Sequence, residues 1–303
     1  MRVIITGGSG LIGSHLAQKL AREKHEVIVL SRNPSRHRGE LAEGVRLEAW
    51  DARTADGWGV LAEGADAIVN LAGANLSSGP WTASRRKSII ESRLNAGQAV
   101  VQAVQRADRK PGVVIQSSAV GHYGPRGDEL ITPHAEPGDD FLANLTVQWE
   151  DSTAPVEEAG VRRAVIRSGI VLSKAGGALP LFALPFYFFV GGPWGTGKQY
   201  YPWIHIDDEA AAIQFLIEDQ AAQGAFNLTS PNPVTNRTFA QTLGKVLKRP
   251  SFLRLPRFVW KVMGEMSTVI IDGQRAVPAR LTELGFNFRY PDLEPALREI
   301  FQK

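Results

Sequence analysis

The chain's first apolar run, RVIIT, ends in TGGSGLIG, residues 6–13. Gly7, Gly10 and Gly13 stand three apart, and apolar positions at helical spacing (Leu11, Leu16, Leu20) begin inside the motif. The first glycine permits a tight turn, the second lets the backbone approach a pyrophosphate, and the third lets helix pack closely on strand. A phosphate placed there meets free N–H groups and the positive end of a helix dipole. A glycine triplet alone is weak evidence, but one that follows a strand and opens a helix has the context a dinucleotide site needs. The second strand, VIVLSRNPSRHR, indicates which dinucleotide. No acid lies between Val27 and Arg38 to hold a ribose 2′-OH. Ser31 and Arg32 at the strand end instead suit a 2′-phosphate, because a guanidinium offers a fixed fork of donors and a permanent charge. Arg36 and Arg38 read as solvated loop arginines. The expected cofactor is NADP(H).

Such residues need a scaffold that brings strand ends together. VIVLS (27–31), VRLEAW (45–50), DAIVNLAG (66–73), VVIQSS (113–118) and VRRAVIRSG (161–169) are apolar runs bounded by glycine or polar residues. Helical stretches separate several of them: one after Trp81, and one over about 139–160. Strands without internal polar alternation, interleaved with helices, predict a parallel sheet covered on both faces. The fold class is therefore α/β: a Rossmann-like, doubly wound parallel sheet with a smaller, mainly helical C-terminal domain. We assign 1–172 to the dinucleotide-binding domain, with 203–230 (helix 207–218, strand AFNLT) returning to it. Residues 173–202 and 231–303 form the smaller, substrate-side domain.

Composition sets bounds. With 303 residues, 44% hydrophobic and 21% charged, the chain can bury a core without staples. It has no cysteine, which excludes disulfides and thiolate chemistry and fits a reducing compartment. No charged-then-apolar leader precedes the first strand, so the expected location is cytoplasmic. The apolar run Ala178–Val190 is too short for a bilayer and holds two prolines. A net charge of +3 needs no nucleic-acid partner. The expected partner is a small-molecule substrate, and a homo-oligomer is left open.

TGGSGLIG, VNLAG (69–73) and the serine pair ending the fifth strand resemble the extended short-chain dehydrogenase/reductase superfamily, in an atypical form. WTASRRKSIIESR (81–93), SAVGHYGPRGDE (118–129), GGPWGTGKQYYPWIHIDD (191–208) and GFNFRYPDLEPAL (285–297) narrow the resemblance to the "epimerase family protein" group. That group also carries sugar-nucleotide-epimerase and cell-division-inhibitor-like labels and a C-terminal helical module of uncharacterised function, here about 250–298. The resemblance implies that Gly7, Ser9, Gly10, Leu11, Ile12 and Gly13 hold the pyrophosphate, and that Ser31 and Arg32 hold the 2′-phosphate. It places Leu71, Ala72 and Gly73 on the adenine and ribose side, with Asp51 a further adenine-side candidate. Arg93 would reach back to the cofactor, and Ser117 and Val171 would lie near the nicotinamide.

Most enzymes of this superfamily use Tyr-x-x-x-Lys, where tyrosine moves the proton and lysine lowers its pKa from one helical turn away. Here no lysine follows four residues after Tyr123, Tyr187, Tyr200, Tyr201 or Tyr290. The helix that should carry the pair contains FLANLTVQWE (141–150). If Glu150 matches the acid that follows the pair, the two positions are Leu142 and Thr146. Replacement candidates are Ser118, at the end of the fifth strand, and Tyr123, with His122 beside it. His205 reads as positioning a loop, and Asp207 and Asp208 as the first-turn acids of the next helix. Trp81, Tyr200, Tyr201 and Trp203 are the substrate-side candidates.

GPWGTGK (192–198) mimics a phosphate loop, but Gln199 replaces its Ser/Thr and no helix pattern follows. No G-x-S-x-G is present, and the dispersed histidines suggest no metal site. Three functions remain: an NADP(H)-dependent oxidoreductase on an unidentified small molecule, a non-catalytic NADP(H)-binding sensor or regulator, and, last, a nucleotide-sugar epimerase.

Overall fold

The computed structural model describes residues 1–37, 39, 41–76, 78–253 and 273–302. Arg38 and part of the C-terminal module read at about 250–298 lie outside the described residues. The strands β1 (Arg2–Thr6), β2 (Glu26–Ser31), β3 (Val45–Ala49), β4 (Ala67–Asn70), β5 (Val113–Ala119), β7 (Arg162–Ser168) and β11 (Gly224–Leu228) form one sheet. Its order is β11-β7-β5-β4-β1-β2-β3, and every pairing is parallel. The chain runs outward from β1 through β2 to β3, then crosses back to β4 on the other side of β1 and runs outward through β5, β7 and β11, so the strand order reverses at β1/β4. In open α/β sheets a ligand crevice forms outside the carboxyl ends of the strands at such a point.

Residue parity along the strands decides which face each side chain meets. Val3, Ile5, Val27, Val29, Val69, Ile115 and Ile166 join one buried cluster with Leu16 and Leu20 of α1 (Leu11–Arg22) and Ile213 and Leu216 of α6 (Ile206–Glu218). Ile4, Ile28, Leu30, Ile68 and Val114 join the other, against Ala96, Val100 and Val104 of α2 (Ala83–Arg106) and Trp58. Burial on both faces is why these strands lack polar alternation. The helical region expected over 139–160 divides into α3 (Phe141–Asp151) and α4 (Pro155–Glu158). Pro155 has no N–H to donate to the preceding turn, so the hydrogen-bond ladder of α3 cannot run through it. The Asp140 side chain accepts from the Ala143 N–H at 2.8 Å and caps the start of α3.

Beyond Ser168 the chain leaves the large sheet. β8 (Ile170–Leu172) pairs in parallel with β10 (Trp203–His205), a ladder the sequence did not reveal. α5 (Leu179–Tyr187) and α7 (Asn236–Leu247) then build a third cluster around Phe182, Trp194, Tyr201, Trp203 and Phe239, closed by the helix Leu293–Gln302. Two backbone N–H groups, of Arg289 and Tyr290, donate to the two carboxylate oxygens of Asp208 at 2.8 and 2.9 Å, which ties the C-terminal segment to α6. Among the described residues no helix is long and apolar enough to cross a membrane.

Trp58 is fully buried, packs edge-on to Trp50 with ring centroids 6.1 Å apart, and donates its indole N–H to Thr54 O at 2.8 Å. Trp58→Ala removes that packing and should cost about 3–5 kcal/mol in chemical denaturation. A loss below about 1 kcal/mol would show that this side of the sheet is not held by it.

Candidate functional site

The glycine turn is shaped by backbone approaching backbone. Gly7 has φ +66°, and a Cβ there would lie 2.7 Å from Leu71 O, so the first turn presses against the segment leaving β4. A Cβ on Gly13 would lie 2.6 Å from both Gly7 O and Gly8 Cα, so α1 can start there only without a side chain. Gly10 differs: an added Cβ would meet only Gly7 O, at 3.2 Å. Gly10 is the N-cap of α1 and has no side chain to cap it, and no acid occupies the first turn. The amide groups at the start of α1 are thereby left to bind something else, and the helix dipole favours an anion.

A cleft of about 450 Å³ opens over this turn. Of the residues proposed for the cofactor, Gly7, Gly10, Leu11, Ile12 and Gly13 line it from the turn. Leu71, Arg93, Ser117 and Val171 line it from β4, α2, β5 and β8. Ala72 and Gly73 stand just behind: the Ala72 N–H donates to Thr6 Oγ1 at 3.2 Å, and a Cβ on Gly73 would meet Arg93 Cζ at 3.0 Å. Ser9 is exposed on the turn. Ser31, Arg32 and Asp51 lie outside this lining, at the ends of β2 and β3. Ser31 Oγ accepts the Asn33 N–H at 3.2 Å. Arg32 is exposed and its guanidinium has no acid partner among the described residues. Asp51 is spent on its own loop, accepting from the N–H groups of Arg53 and Thr54 at 2.7 and 2.8 Å, which holds its carboxyl below the usual range despite some desolvation.

A buried polar ladder aligns the strand ends beneath the cleft. Thr6 Oγ1 donates to Asn70 Oδ1 at 2.6 Å, Asn70 Nδ2 to Gln116 Oε1 at 2.8 Å, and Gln116 Nε2 to Ser117 O at 2.7 Å. Thr6 and Asn70 each bond to the next strand and Gln116 closes the ladder on its own strand, and together they fix the relative heights of β1, β4 and β5.

The wall provided by α3 is apolar. Leu142, Leu145, Thr146 and Trp149 line the cleft, so the two positions expected for an acid–base pair do face it. Leu142 has no proton to move. Thr146 Oγ1 donates back to Ala143 O at 2.8 Å. Among the lining residues the titratable groups are Arg93 and Asp140. Arg93 stacks over the Trp149 ring at 4.7 Å and donates to Ala74 O and Ile89 O at 3.2 and 3.0 Å, while its Nε has no partner. Burial pulls its pKa down to about 10, which leaves it charged at neutral pH.

The proposed replacements, Ser118 and Tyr123, do not line the cleft. Residue parity turns Ser118 to the opposite face from Ser117. There its Oγ donates to Glu150 Oε1 at 2.6 Å. Glu150 takes Arg167 Nε and Nη2 at 2.9 Å each, and Arg167 Nη1 donates to Tyr123 Oη and Pro133 O at 3.0 Å. Tyr123 is fully buried and donates to Asn227 Oδ1 at 2.6 Å. Burial lifts the Tyr123 hydroxyl above its ordinary range, which is wrong for a base. These side chains brace the wall. Burial also pulls His122 down to about 4, with Glu150 opposing and Arg167 reinforcing the shift.

The substrate-side aromatics likewise fall elsewhere. Tyr201 and Trp203 are buried in the third cluster, and only Pro202 between them lines the cleft. Tyr200 sits under the Arg275 guanidinium, 5.0 Å from its ring. Trp81 donates to Leu76 O at 2.9 Å and packs on Phe141 at 5.3 Å, beside the cleft rather than in its lining. His205 accepts the Asp207 N–H on Nδ1 at 3.1 Å, so Nε2 carries the hydrogen and donates to Glu299 Oε2 at 3.0 Å. The group His205, Asp207 and Glu299 is thus a hydrogen-bonded tie between α6 and the C-terminal helix, with both ring nitrogens engaged. In the GPWGTGK segment the Trp194 N–H donates to Asn236 Oδ1 at 2.7 Å, which docks that loop on α7.

The chain is similar to known proteins over nearly its whole length. The family model described as NAD dependent epimerase/dehydratase matches residues 3–142, and a domain of unknown function (DUF1731) matches 255–300. Residues 255–272 of the latter lie outside the described ones. Epimerase family protein YfhF of Bacillus subtilis is 37% identical, over 99% of this chain and 98% of its own. The chloroplastic epimerase family protein SDR39U1 homolog of Arabidopsis thaliana is also 37% identical, over 100% of this chain and 87% of its own. The crystal structure of the human epimerase family protein SDR39U1 (isoform 2) with NADPH superposes with a TM-score of 0.88 at 34% identity, covering 100% of this chain and 99% of that one.

The bracing network has testable energetics. Glu150→Ala leaves Arg167 buried and unpaired and should cost about 3–5 kcal/mol in urea denaturation at pH 7. His122 has a folded pKa of about 4 against an ordinary 6.5. Its neutral form is favoured by folding, so that stability is whole above pH 6.5 and is lost as pH falls from 6.5 through about 4. His122→Asn should flatten the stability profile in that window, and an unchanged slope would rule this assignment out.

Proposed function

We propose, since this chain belongs to the epimerase family with the NAD dependent epimerase/dehydratase domain and the C-terminal domain of unknown function, that it binds NADP(H) in the cleft. We further propose that it acts as an oxidoreductase on a small molecule without a Tyr-x-x-x-Lys pair. The observation that carries the cofactor reading is the start of α1. Its N-cap is a glycine whose added Cβ would meet a single backbone oxygen, its first turn holds no acid, and its first residues line the cleft. The pyrophosphate would sit on those amides, with Gly7 and Gly13 shaping the turn and Arg93 adding positive charge from α2. Ser31 and Arg32 would take the 2′-phosphate, because the Arg32 guanidinium at the end of β2 has no acid partner among the described residues. Leu71, Ala72 and Gly73 would flank the adenine and ribose side, and Ser117 and Val171 the nicotinamide half. Asp51, already satisfied by its own loop, would contribute only shape. When bound, the nicotinamide supplies a two-electron hydride couple.

A second reading, a non-catalytic NADP(H)-binding regulator, draws on the apolar α3 wall and on the few titratable groups around the cleft. It predicts tight cofactor binding with no turnover on any carbonyl compound and a protein partner sensitive to the cofactor's oxidation state. Nucleotide-sugar epimerisation ranks third, because removing a hydroxyl proton normally needs the base that Leu142 and Thr146 cannot supply.

Two variants test the cofactor geometry by fluorescence titration. Arg32→Ala should weaken NADPH about 10- to 100-fold, the worth of a charge-assisted contact, and leave NADH unchanged. If a preference for NADPH survives intact, the assignment of Arg32 is wrong. Gly10→Ala should keep the thermal midpoint within a few degrees, since its Cβ meets only one atom, yet reduce NADPH affinity at least tenfold. Unchanged affinity would move the pyrophosphate away from this turn.

A further inference from the structure

Glu209 is an unusual residue for its position. It lies on the first turn of α6, is fully buried, and among the described residues meets one hydrogen-bonding group: Ser168 Oγ lies 2.6 Å from its Oε1. Its other oxygen, Oε2, has no partner. A buried carboxylate normally has a cation or several donors beside it, and an isolated one takes up a proton instead.

The elements packed against α6 are α1, β5, β7, β8 and β10. Their charged groups are engaged elsewhere or far off. His15 binds Asp207 and Lys19 binds Glu23, while Arg22 is exposed. Arg162 holds carbonyls at the far end of α6, Arg163 faces Glu157, and Arg167 turns to the opposite face of the sheet and pairs with Glu150. His205 binds Glu299. On α6 itself, Asp208 is taken by the backbone of Arg289 and Tyr290, and the Arg289 side chain reaches towards Asp207. Desolvation without a compensating charge pushes Glu209 up to about 8, so it is protonated at neutral pH.

Ser168 gives this proton a way out. It ends β7 and lines the cleft next to Gly169 and Val171. We propose that Glu209 and Ser168 form a proton relay that serves the cleft and takes the place of the absent tyrosine and lysine, acting on a ligand oxygen of a carbonyl or alcohol. A neutral Glu209 donates to Ser168 Oγ, which frees the serine's hydrogen to point into the cleft. Ser168 gives that proton to a carbonyl oxygen whose carbon would take a hydride from a donor such as a reduced nicotinamide, and Glu209 replaces it. The ligand ends as a hydroxyl, Glu209 as a carboxylate, and solvent returns one proton by the same path once the ligand leaves. The reverse sequence takes a proton from an alcohol. Ser168 is the group that touches the ligand, and Glu209 acts through it. This assignment rests on the reading of the cleft as the reaction site, but not on which cofactor fills it.

Infrared spectroscopy of the full-length apoprotein tests the relay apart from turnover. The wild type should show a protonated-carboxyl carbonyl band at pH 7 that is absent in Glu209→Gln and titrates away near pH 8. Transfer to D2O should shift that band quickly in the wild type and at least tenfold more slowly in Ser168→Ala, while Ser168→Thr, which keeps the hydroxyl, should exchange like the wild type. NADPH affinity should stay within threefold in Glu209→Gln, so a loss of cofactor binding and a failure of the relay are read separately. A band missing at pH 7, or exchange that ignores Ser168→Ala, would overturn the proposal. A buried carboxyl that is only structural would show the band without the dependence on Ser168.

Discussion

One close approach, the contact of Gly7 with the backbone leaving β4, sets the geometry of the cleft. A side-chain carbon at Gly7 would come within 2.7 Å of Leu71 O, so β1 and β4 can end side by side only because residue 7 carries none. That contact places the α1 amides over the switch point of the sheet. The Thr6–Asn70–Gln116 ladder then sets β5 at the same height. Everything lining the cleft, from Arg93 on α2 to Val171 on β8, is positioned relative to these strand ends.

The second organising feature is the buried Glu150–Arg167 pair. It joins α3 to β7, and through Tyr123 and Asn227 it reaches β11. A buried ion pair is weak evidence of net stabilisation, but removing one partner is costly. Its role here is to hold α3 at a fixed distance, which keeps Leu142, Thr146 and Trp149 at the cleft wall. The wall is rigid and apolar, whereas acid–base chemistry needs a group that can exchange a proton. On the opposite side of the sheet from Glu150, the buried carboxyl of Glu209, whose protonated form desolvation favours, touches the lining residue Ser168.

Much of the scaffold was legible because fully buried strands are short apolar runs, and the glycine spacing has one physical use in that context. The ends of such runs were less legible. Ser117 and Ser118 differ by one residue, and strand parity sends one to the cleft and the other to Glu150; composition cannot choose between them. Tyr201 and Trp203 share parity as well, and they face the core, because Tyr201 pairs with Val234 and Trp203 with Ile170 in short ladders that a stretch rich in glycine, proline and aromatics did not announce. Glu209 was hidden in the acidic run DDE, which reads as a helix N-terminus. A signal was present: Glu209, Ala212, Ile213 and Leu216 follow the spacing of a buried helical stripe, so the third acid points inward.

On the proposed reading, the glycine turn and the end of β2 hold the two phosphate-bearing ends of NADP(H) over an apolar α3 wall. The most direct measurement is a crystal structure of this protein grown with NADPH. The pyrophosphate should accept hydrogen bonds from the amides at the start of α1, the 2′-phosphate should lie within reach of Arg32, and the nicotinamide should lie between Ser117 and Val171. A cofactor whose pyrophosphate lies away from Gly10, or whose 2′-phosphate meets no group at the end of β2, would contradict it.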